Sequence, residues 1–448
     1  MSSPLPSLAP HTLLVFLLQV SLLLLVALAL GRIAVRLGLP ALVGELLTGV
    51  VLGPSLLGAL APGAFGWVLP ADAAQLHLLD AVGQFGVLLL VGVTGVQLDA
   101  AMLRKRGATG VRVSLAGLLL PLGLGIAAGS LVPAALLTEG TGRGTFALFL
   151  GVAMCVTAIP VIAKTLSDMG LLHRDIGQLT LAAGMVDDAV GWFLLSVVSA
   201  AATTGVRAGA VSLSLVSLIG FVIAALVIGR PLVRWALERA GRASDGGPRI
   251  TTSVVIILLG AAATHAMGLE ALFGAFVAGV LIGQARAAEE PDPRPDRSIW
   301  RDLAPLRTVV LSVLAPLFMA TAGLRMDLTA LADPPVLLAA VALLLVAVIG
   351  KFAGAYLGAR ASRLSHWEGI ALGAGMNARG VVEVVVAATG LRLGVLSIAT
   401  YTVIVLIAVV TSVMGPPILR WSMARVQPNE DEAERGRALA LVTTGGTS

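Results

Sequence analysis

One cysteine, two tyrosines and a 12% share of charged residues in 448 set the first limits on this chain. The lone Cys155 excludes an internal disulfide and any multi-cysteine metal cluster. Aromatics make up only 4%, and no basic stripe with interleaved aromatics is present, so nucleic acid is not a partner. His11, His77, His173, His265 and His366 are scattered, and the apolar stretches hold neither a nucleophile–base pair nor a metal-ligand cluster. No enzyme chemistry and no cofactor are expected. Lysine is nearly absent: the chain uses Arg almost everywhere and keeps Lys only at Lys105, Lys164 and Lys351.

What is present is apolar. The chain is 57% hydrophobic with a mean hydropathy of +0.97. A soluble protein of this length cannot hide that much apolar surface, so the sequence reads as a polytopic, all-α membrane protein whose first partner is the lipid bilayer. The spans run over about 12–30, 40–58, 78–98, 110–134, 145–169, 176–201, 211–236, 250–267, 270–285, 303–323, 335–358, 367–389 and 396–420. That predicts about 13 transmembrane helices, with 270–285 short. No cationic segment precedes 12–30, which is too long for a signal-peptide core and reads as a retained helix.

Orientation is an independent check. With the N-terminus outside and the C-terminus inside, nearly all of the 30 basic residues fall on the cytosolic side. Only Arg143, Arg207, Arg325 and Arg392 lie outside, and Lys164, Lys351 and Arg379 fall within spans. This asymmetry supports an odd number of helices in an inner (plasma) membrane and accounts for the net charge of +5. Residues 1–11 then form an extracytoplasmic segment and 425–448 a short cytoplasmic tail, too short for a folded domain. The mixed-charge, proline-rich loop at 285–302 reads as flexible. GLGIAAG at 123–129 lies inside a span and reads as helix packing, not a phosphate loop.

The centre of the sixth span holds Asp187 and Asp188 side by side. An ionisable group at such a position costs roughly 2.5–3.5 kcal/mol on insertion scales. A lone Asp there can be a structural hydrogen-bond partner, but an adjacent pair points to bound protons or small cations. The fifth span contains CVTAIPVIAKTL, where Pro160 breaks the ladder near Thr157 and frees backbone groups at mid-depth; a simple kink is the alternative. The twelfth span contains GAGMNARGVVEVVV, interrupted by Asn377, Arg379 and Glu383. Arg379 and Glu383 are four apart and read as a structural ion pair that braces the core. Spans five and twelve are seven apart, an odd offset that inserts the two halves in opposite directions, as in inverted repeats with two crossing broken helices.

Lys351 lies nine residues, about 14 Å, from cytosolic Arg360, and Asp187 about 20 Å from cytosolic Arg174, so the two could meet near mid-membrane. Snorkelling is the alternative for Lys351 and the favoured reading for Lys164. Cys155 reads as a small apolar residue, Glu45 as a packing or hydrogen-bonding group, and His173 as a solvated loop histidine.

TAIPVIAKTLSDMGLLHRDIGQLTLAAGMVDDAVGWFLL (157–195) closely resembles the fifth and sixth helices of monovalent cation:proton antiporters, family 2. LPALVGELLTGVVLGPSLLG (39–58), LEALFGAFVAGVLIG (269–283), LAPLFMATAGLRMDL (314–328) and MNARGVVEVVVA (376–387) extend the resemblance over about 12–420. It implies the sodium/proton antiporter fold and a homodimer. Within a domain at 12–424 it implies a core (110–201 and 335–420), a scaffold (12–98 and 250–323) and a linker helix (211–236). It also implies that Asp188 is the proton- and cation-binding carboxylate and that Asp187 pairs with Lys351. The glutathione-gated members carry a C-terminal nucleotide-binding domain; with so short a tail after residue 420, that regulation is not expected here.

The expected activity is exchange of Na⁺ or K⁺ for H⁺ by alternating access, with both competing at Asp188. Its carboxylate, the Thr157 hydroxyl and carbonyls freed at the break suit a hard monovalent cation. A gated potassium efflux pore or a cation-driven solute carrier on the same architecture are the rival expectations.

Overall fold

The computed structural model describes residues 9–69, 72–97, 100–138, 140–204, 208–242, 246–287, 299–430 and 432. Among these the chain is helical almost throughout and has no strand; a single antiparallel bridge joins Leu137 to Leu396. Most of the N-terminal segment, the centre of the 285–302 loop and most of the tail lie outside the described residues.

The first half comprises α1 (Pro10–Arg36), α2 (Ala41–Leu52), the short α3 (Pro62–Val68), α4 (Ala73–Val96), α5 (Ala100–Leu131), α6 (Arg143–Cys155), α7 (Ile159–Asp168) and α8 (Asp175–Thr204). Next come α9 (Ala208–Ala224), α10 (Arg230–Ala240), α11 (Gly247–Ala266), α12 (Ala271–Ala287), α13 (Ile299–Val309) and α14 (Ala315–Leu324). The chain ends in α15 (Pro334–Ala361), α16 (His366–Met376), α17 (Val381–Arg392) and α18 (Ile398–Met423). Among the described residues, ten segments are long and apolar enough to cross a bilayer, or eleven if the bent pair α16 and α17 counts as one. The shortfall against thirteen has a physical cause. The 13-residue α6 stops where the chain breaks before α7, and α12 has 17 described residues.

The helices pack in two sets. α5 lies against α15, α6 and α8, and α16 joins α15 to α18. Separately, α4 packs on α12 and α14, α2 on α1 and α14, and α11 on α12. The sets meet where α8 touches α12 and α17 touches α14. The α5–α15 contact is close because it is lined by small residues: a Cβ on Gly354 would collide with the Ala116 carbonyl oxygen. That approach brings Ser114 and Lys351, each within a turn of the contact, to one depth. GLGIAAG lies within α5, where Gly125 and Gly129 face Gly151 and Ala147 of α6.

Three π turns were not foreseen, at Pro54–Gly58, Ala225–Gly229 and Val310–Leu314. The last two are followed two residues later by Pro231 and Pro316. A proline ring clashes with the carbonyl four residues back in a regular helix, and a wider turn relieves the clash.

Five helices end the same way, with a backbone bond from the residue after a left-handed position back into the last turn. Four use glycine there: Gly38, Gly170, Gly268 and Gly394. The fifth, after α15, uses Arg363 at φ 64°. The left-handed region costs a residue with a Cβ roughly 1–2 kcal/mol.

The start of the tail is tethered. Arg174 donates to Glu432 (3.1 Å) and to the Val426 carbonyl (2.8 Å), and the Asp175 amide donates to Glu432 (2.5 Å). His173 is half-buried in that turn, not solvated on an open loop. Lys164 is exposed near the end of α7, and Glu45 is half-buried on α2.

Substituting Gly354→Val should force α5 and α15 apart and destabilise the protein by about 1–3 kcal/mol, the cost of overpacking a close contact. Thermal unfolding of the purified variant in detergent checks this, and an unchanged midpoint would show that the contact does not set the spacing.

Candidate functional site

Two helices are interrupted, and their breaks lie side by side. α6 ends at Cys155, where Val156 turns extended (φ −71°, ψ 154°), and α7 resumes at Ile159 with Pro160 in its first turn. α16 ends at Met376, and α17 starts at Val381 after a 44° bend. The two breaks are joined by a backbone bond from the Ala158 amide to the Ala378 carbonyl, 3.3 Å. Gly380 is needed there because a Cβ would meet Val161 and Leu42 at 2.7 and 2.8 Å.

Asp187 is fully engaged. Its Oδ2 accepts from Lys351 Nζ at 2.5 Å and from Thr157 Oγ1 at 2.7 Å, and its Oδ1 accepts from Ser114 Oγ at 2.5 Å. Lys351 also donates to the Cys155 carbonyl at 2.6 Å. The Met376 carbonyl is 3.4 Å from Thr157 Oγ1, so the single hydroxyl proton serves the nearer carboxylate. Lysine and carboxylate are both wholly buried, so Lys351 does not snorkel.

Asp188 is the opposite case. It is equally buried, yet neither carboxylate oxygen has a hydrogen-bond partner among the described residues. The Ile159 amide, in the first turn of α7, is within electrostatic reach but outside hydrogen-bonding limits. Asn377 Oδ1, at the same crossing, is likewise buried and unpartnered. Buried polar atoms are normally paired, so three orphan acceptors at one crossing leave capacity to accept a proton or to ligate a cation.

Arg379 braces the opposite side. Its guanidinium donates to the carbonyls of Ala153 (3.2 Å), Met154 (2.7 Å) and Ala347 (3.0 Å), and to Glu383 (3.2 Å). Ser412 holds the Arg379 carbonyl. The last three carbonyls of α6 thus face two cations, Arg379 and Lys351, which offsets the negative end of the helix dipole. Glu383 occupies the first turn of α17, where the dipole favours an acid.

Sequence reasoning missed Ser114, Ser412 and the Cys155 carbonyl. A serine in an apolar span carries no periodic signal, and a carbonyl's availability depends on where the helix stops. It also missed a row on α8: Trp192 Nε1, Ser196 Oγ and Ser199 Oγ are buried, without a partner among the described residues, at helical spacing from Asp188. Trp192 faces Phe276 of α12, so this row lies where the two helix sets meet. Farther along, a small open cleft lies between α4, α12, α14 and α17. Arg392 spans it, donating to Glu270 (2.9 and 3.2 Å) and Gln84 (3.2 Å), while Arg325 pairs with Asp80.

The sequence profile described as "Sodium/hydrogen exchanger, transmembrane" matches residues 21–425. The chain belongs to the sodium/hydrogen exchanger family. Among relatives in this exchanger family, the Na(+)/H(+) antiporter NhaS4 of Synechocystis sp. is 31% identical over 414 residues, 91% of this chain and 97% of its own. Cation/H(+) antiporter 19 of Arabidopsis thaliana is 29% identical over 85% of this chain, which spans about half (46%) of that longer relative. The sodium proton antiporter MjNhaP1 from Methanocaldococcus jannaschii superposes with a TM-score of 0.65 at 18% identity, over 92% of this chain and 97% of that one. The exchanger fold is therefore shared well beyond the range of close sequence similarity.

Lys351→Ala would leave the Asp187 carboxylate buried without its cation and should destabilise the protein by about 3–5 kcal/mol. Adding Asp187→Asn should recover much of that loss. Thermal midpoints of the two single variants and the double variant test the coupling, and additive losses would rule it out.

Proposed function

We propose that this chain is a secondary active antiporter that exchanges a monovalent cation, Na⁺ or K⁺, for protons by alternating access. The observation that carries the reading is the contrast between neighbouring carboxylates. Asp187 is neutralised by Lys351 and held by Ser114 and Thr157, while both Asp188 oxygens are buried and open. A proton or a desolvated cation can satisfy Asp188, but not both at once, and that competition is what couples their transport. Carboxylate, amide and backbone oxygens are hard donors suited to Na⁺ or K⁺. The relatives' names, one for Na⁺ and one for cations in general, support the class and leave the ion open.

The reading includes thirteen transmembrane helices in two inverted halves, with α6–α7 and α16–α17 as the crossing broken pairs. α5–α8 and α15–α18 form the mobile core; α1, α2, α4, α11, α12 and α14 form the scaffold of a homodimer. The sparse contact between the two sets supports this division. α9 and α10 link them: α9 packs on α8, and α10 on α11 and α12. The row Trp192, Ser196 and Ser199 supplies the outward path from Asp188 along the boundary that moves. The reading includes a plasma-membrane location with the N-terminus outside and the C-terminus in the cytoplasm, an orientation that the arginine distribution supports.

The decisive experiment is cation-induced dissipation of a pH gradient in proteoliposomes, with Na⁺ and K⁺ tested separately. The native chain should respond to at least one ion, and Asp188→Asn should lower the response to the protein-free background, a loss of at least 100-fold. A response that survives the substitution would move the chemistry elsewhere. Cation flux without proton movement would favour a pore.

A further inference from the structure

We propose that the ends of α15, α16 and α18 form a binding site for the phosphate headgroup of an anionic phospholipid. The site is a rim of arginines backed by aromatic rings. Arg360 and Arg363 end α15, His366 and Trp367 open α16, and Arg420, Trp421 and Arg425 end α18. The rings hold the rim together: Trp367 meets Trp421 at 5.1 Å and His366 at 5.3 Å, and the Tyr356 hydroxyl lies 2.9 Å from His366 Nδ1.

Arg425 is seated over both indoles, 4.8 Å from the Trp367 centroid and 4.3 Å from that of Trp421. Stacking of this kind fixes the guanidinium plane. Its Nη1 donates to the Trp421 carbonyl (2.7 Å), which leaves Nε and Nη2 without a protein partner among the described residues. Arg360 spends one donor on the Leu364 carbonyl (2.6 Å). Arg363 and Arg420 are exposed, and neither side chain has a partner among the described residues. The one described acid within the rim, Glu368, is turned back on the Ser365 amide in a capping box. The charge is therefore unbalanced and donor-rich, the chemistry that receives a phosphodiester.

Two further observations point to lipid. Arg360 lies nine residues, about 14 Å, beyond mid-membrane Lys351, which is headgroup depth, where Trp and Tyr are also favoured. And Arg363 occupies the left-handed helix end that takes glycine at Gly38, Gly170, Gly268 and Gly394. Its side chain is exposed, so packing does not offset that strain. A positive charge at the membrane surface does, because it attracts anionic lipid.

The test titrates the full-length protein in detergent with phosphatidylglycerol or phosphatidylcholine and reads the thermal midpoint, with retained lipid counted by native mass spectrometry. Phosphatidylglycerol should stabilise the native chain and phosphatidylcholine should not. Arg363→Gly and Arg425→Gln should each weaken the apparent phosphatidylglycerol affinity about fivefold, and together about 25-fold. Arg363→Gly should fold normally, with a lipid-free midpoint at or above native, because glycine is the residue that backbone prefers. An unchanged affinity in the double variant would overturn the proposal. So would equal stabilisation by phosphatidylcholine, an equal loss in an Arg230→Gln control, or full replacement of the lipid by inorganic phosphate.

Discussion

A buried ammonium held between a carboxylate and a backbone carbonyl is the contact on which the rest of this architecture depends. Lys351 is wholly buried, so its charge is tolerable only where Asp187 and the end of α6 meet it. That fixes three elements at once: α8 through the carboxylate, α6 through the carbonyl, and α15 through the lysine stem. Ser114 and Thr157 then complete the coordination of Asp187 from α5 and from the break. The small-residue contact at Gly354 is what lets the four approach closely enough. With every donor directed at Asp187, its neighbour is left unsatisfied by construction. One turn of helix thus holds a permanent charge partner and an open acceptor in adjacent positions.

Breaking a helix inside a membrane exposes groups that lipid cannot solvate, and the chain meets this with charge of the right sign at each exposed end. The C-terminal carbonyls of α6 receive Arg379 and Lys351, and the first turn of α17 carries Glu383. Where the two breaks cross, the Ala158 amide and Ala378 carbonyl satisfy each other directly. Arg379 is thus more than half of an ion pair with Glu383: it is the main solvent of a severed helix.

Much of this was legible in the sequence because membrane insertion penalises polar residues so heavily. Asp187, Asp188, Lys351, Arg379 and Glu383 stand out from apolar text, and Pro160 marks the first break. The helical segments were readable from length alone, although α6 falls short of a full span because the chain breaks after Cys155. What stayed hidden depends on partners distant in sequence. Ser114 becomes a ligand of Asp187 only because α5 meets α8 and α15. Glu432 tethers the tail to a turn more than 250 residues earlier. The π turns needed knowledge of how a helix accommodates a proline without stopping.

The cleft bridged by Arg392 behaves differently from the buried centre. The arginine is 42% exposed, so water and salt readily take the place of Glu270, and the bridge holds little net free energy. It aligns the two walls without binding them strongly. What keeps them together is apolar, with Leu272, Phe318 and Val385 facing into the same space. Parting the walls there amounts to wetting hydrocarbon, a process with almost no enthalpy near room temperature and a large positive heat capacity. Separating those walls would accordingly depend on temperature far more than on ionic strength.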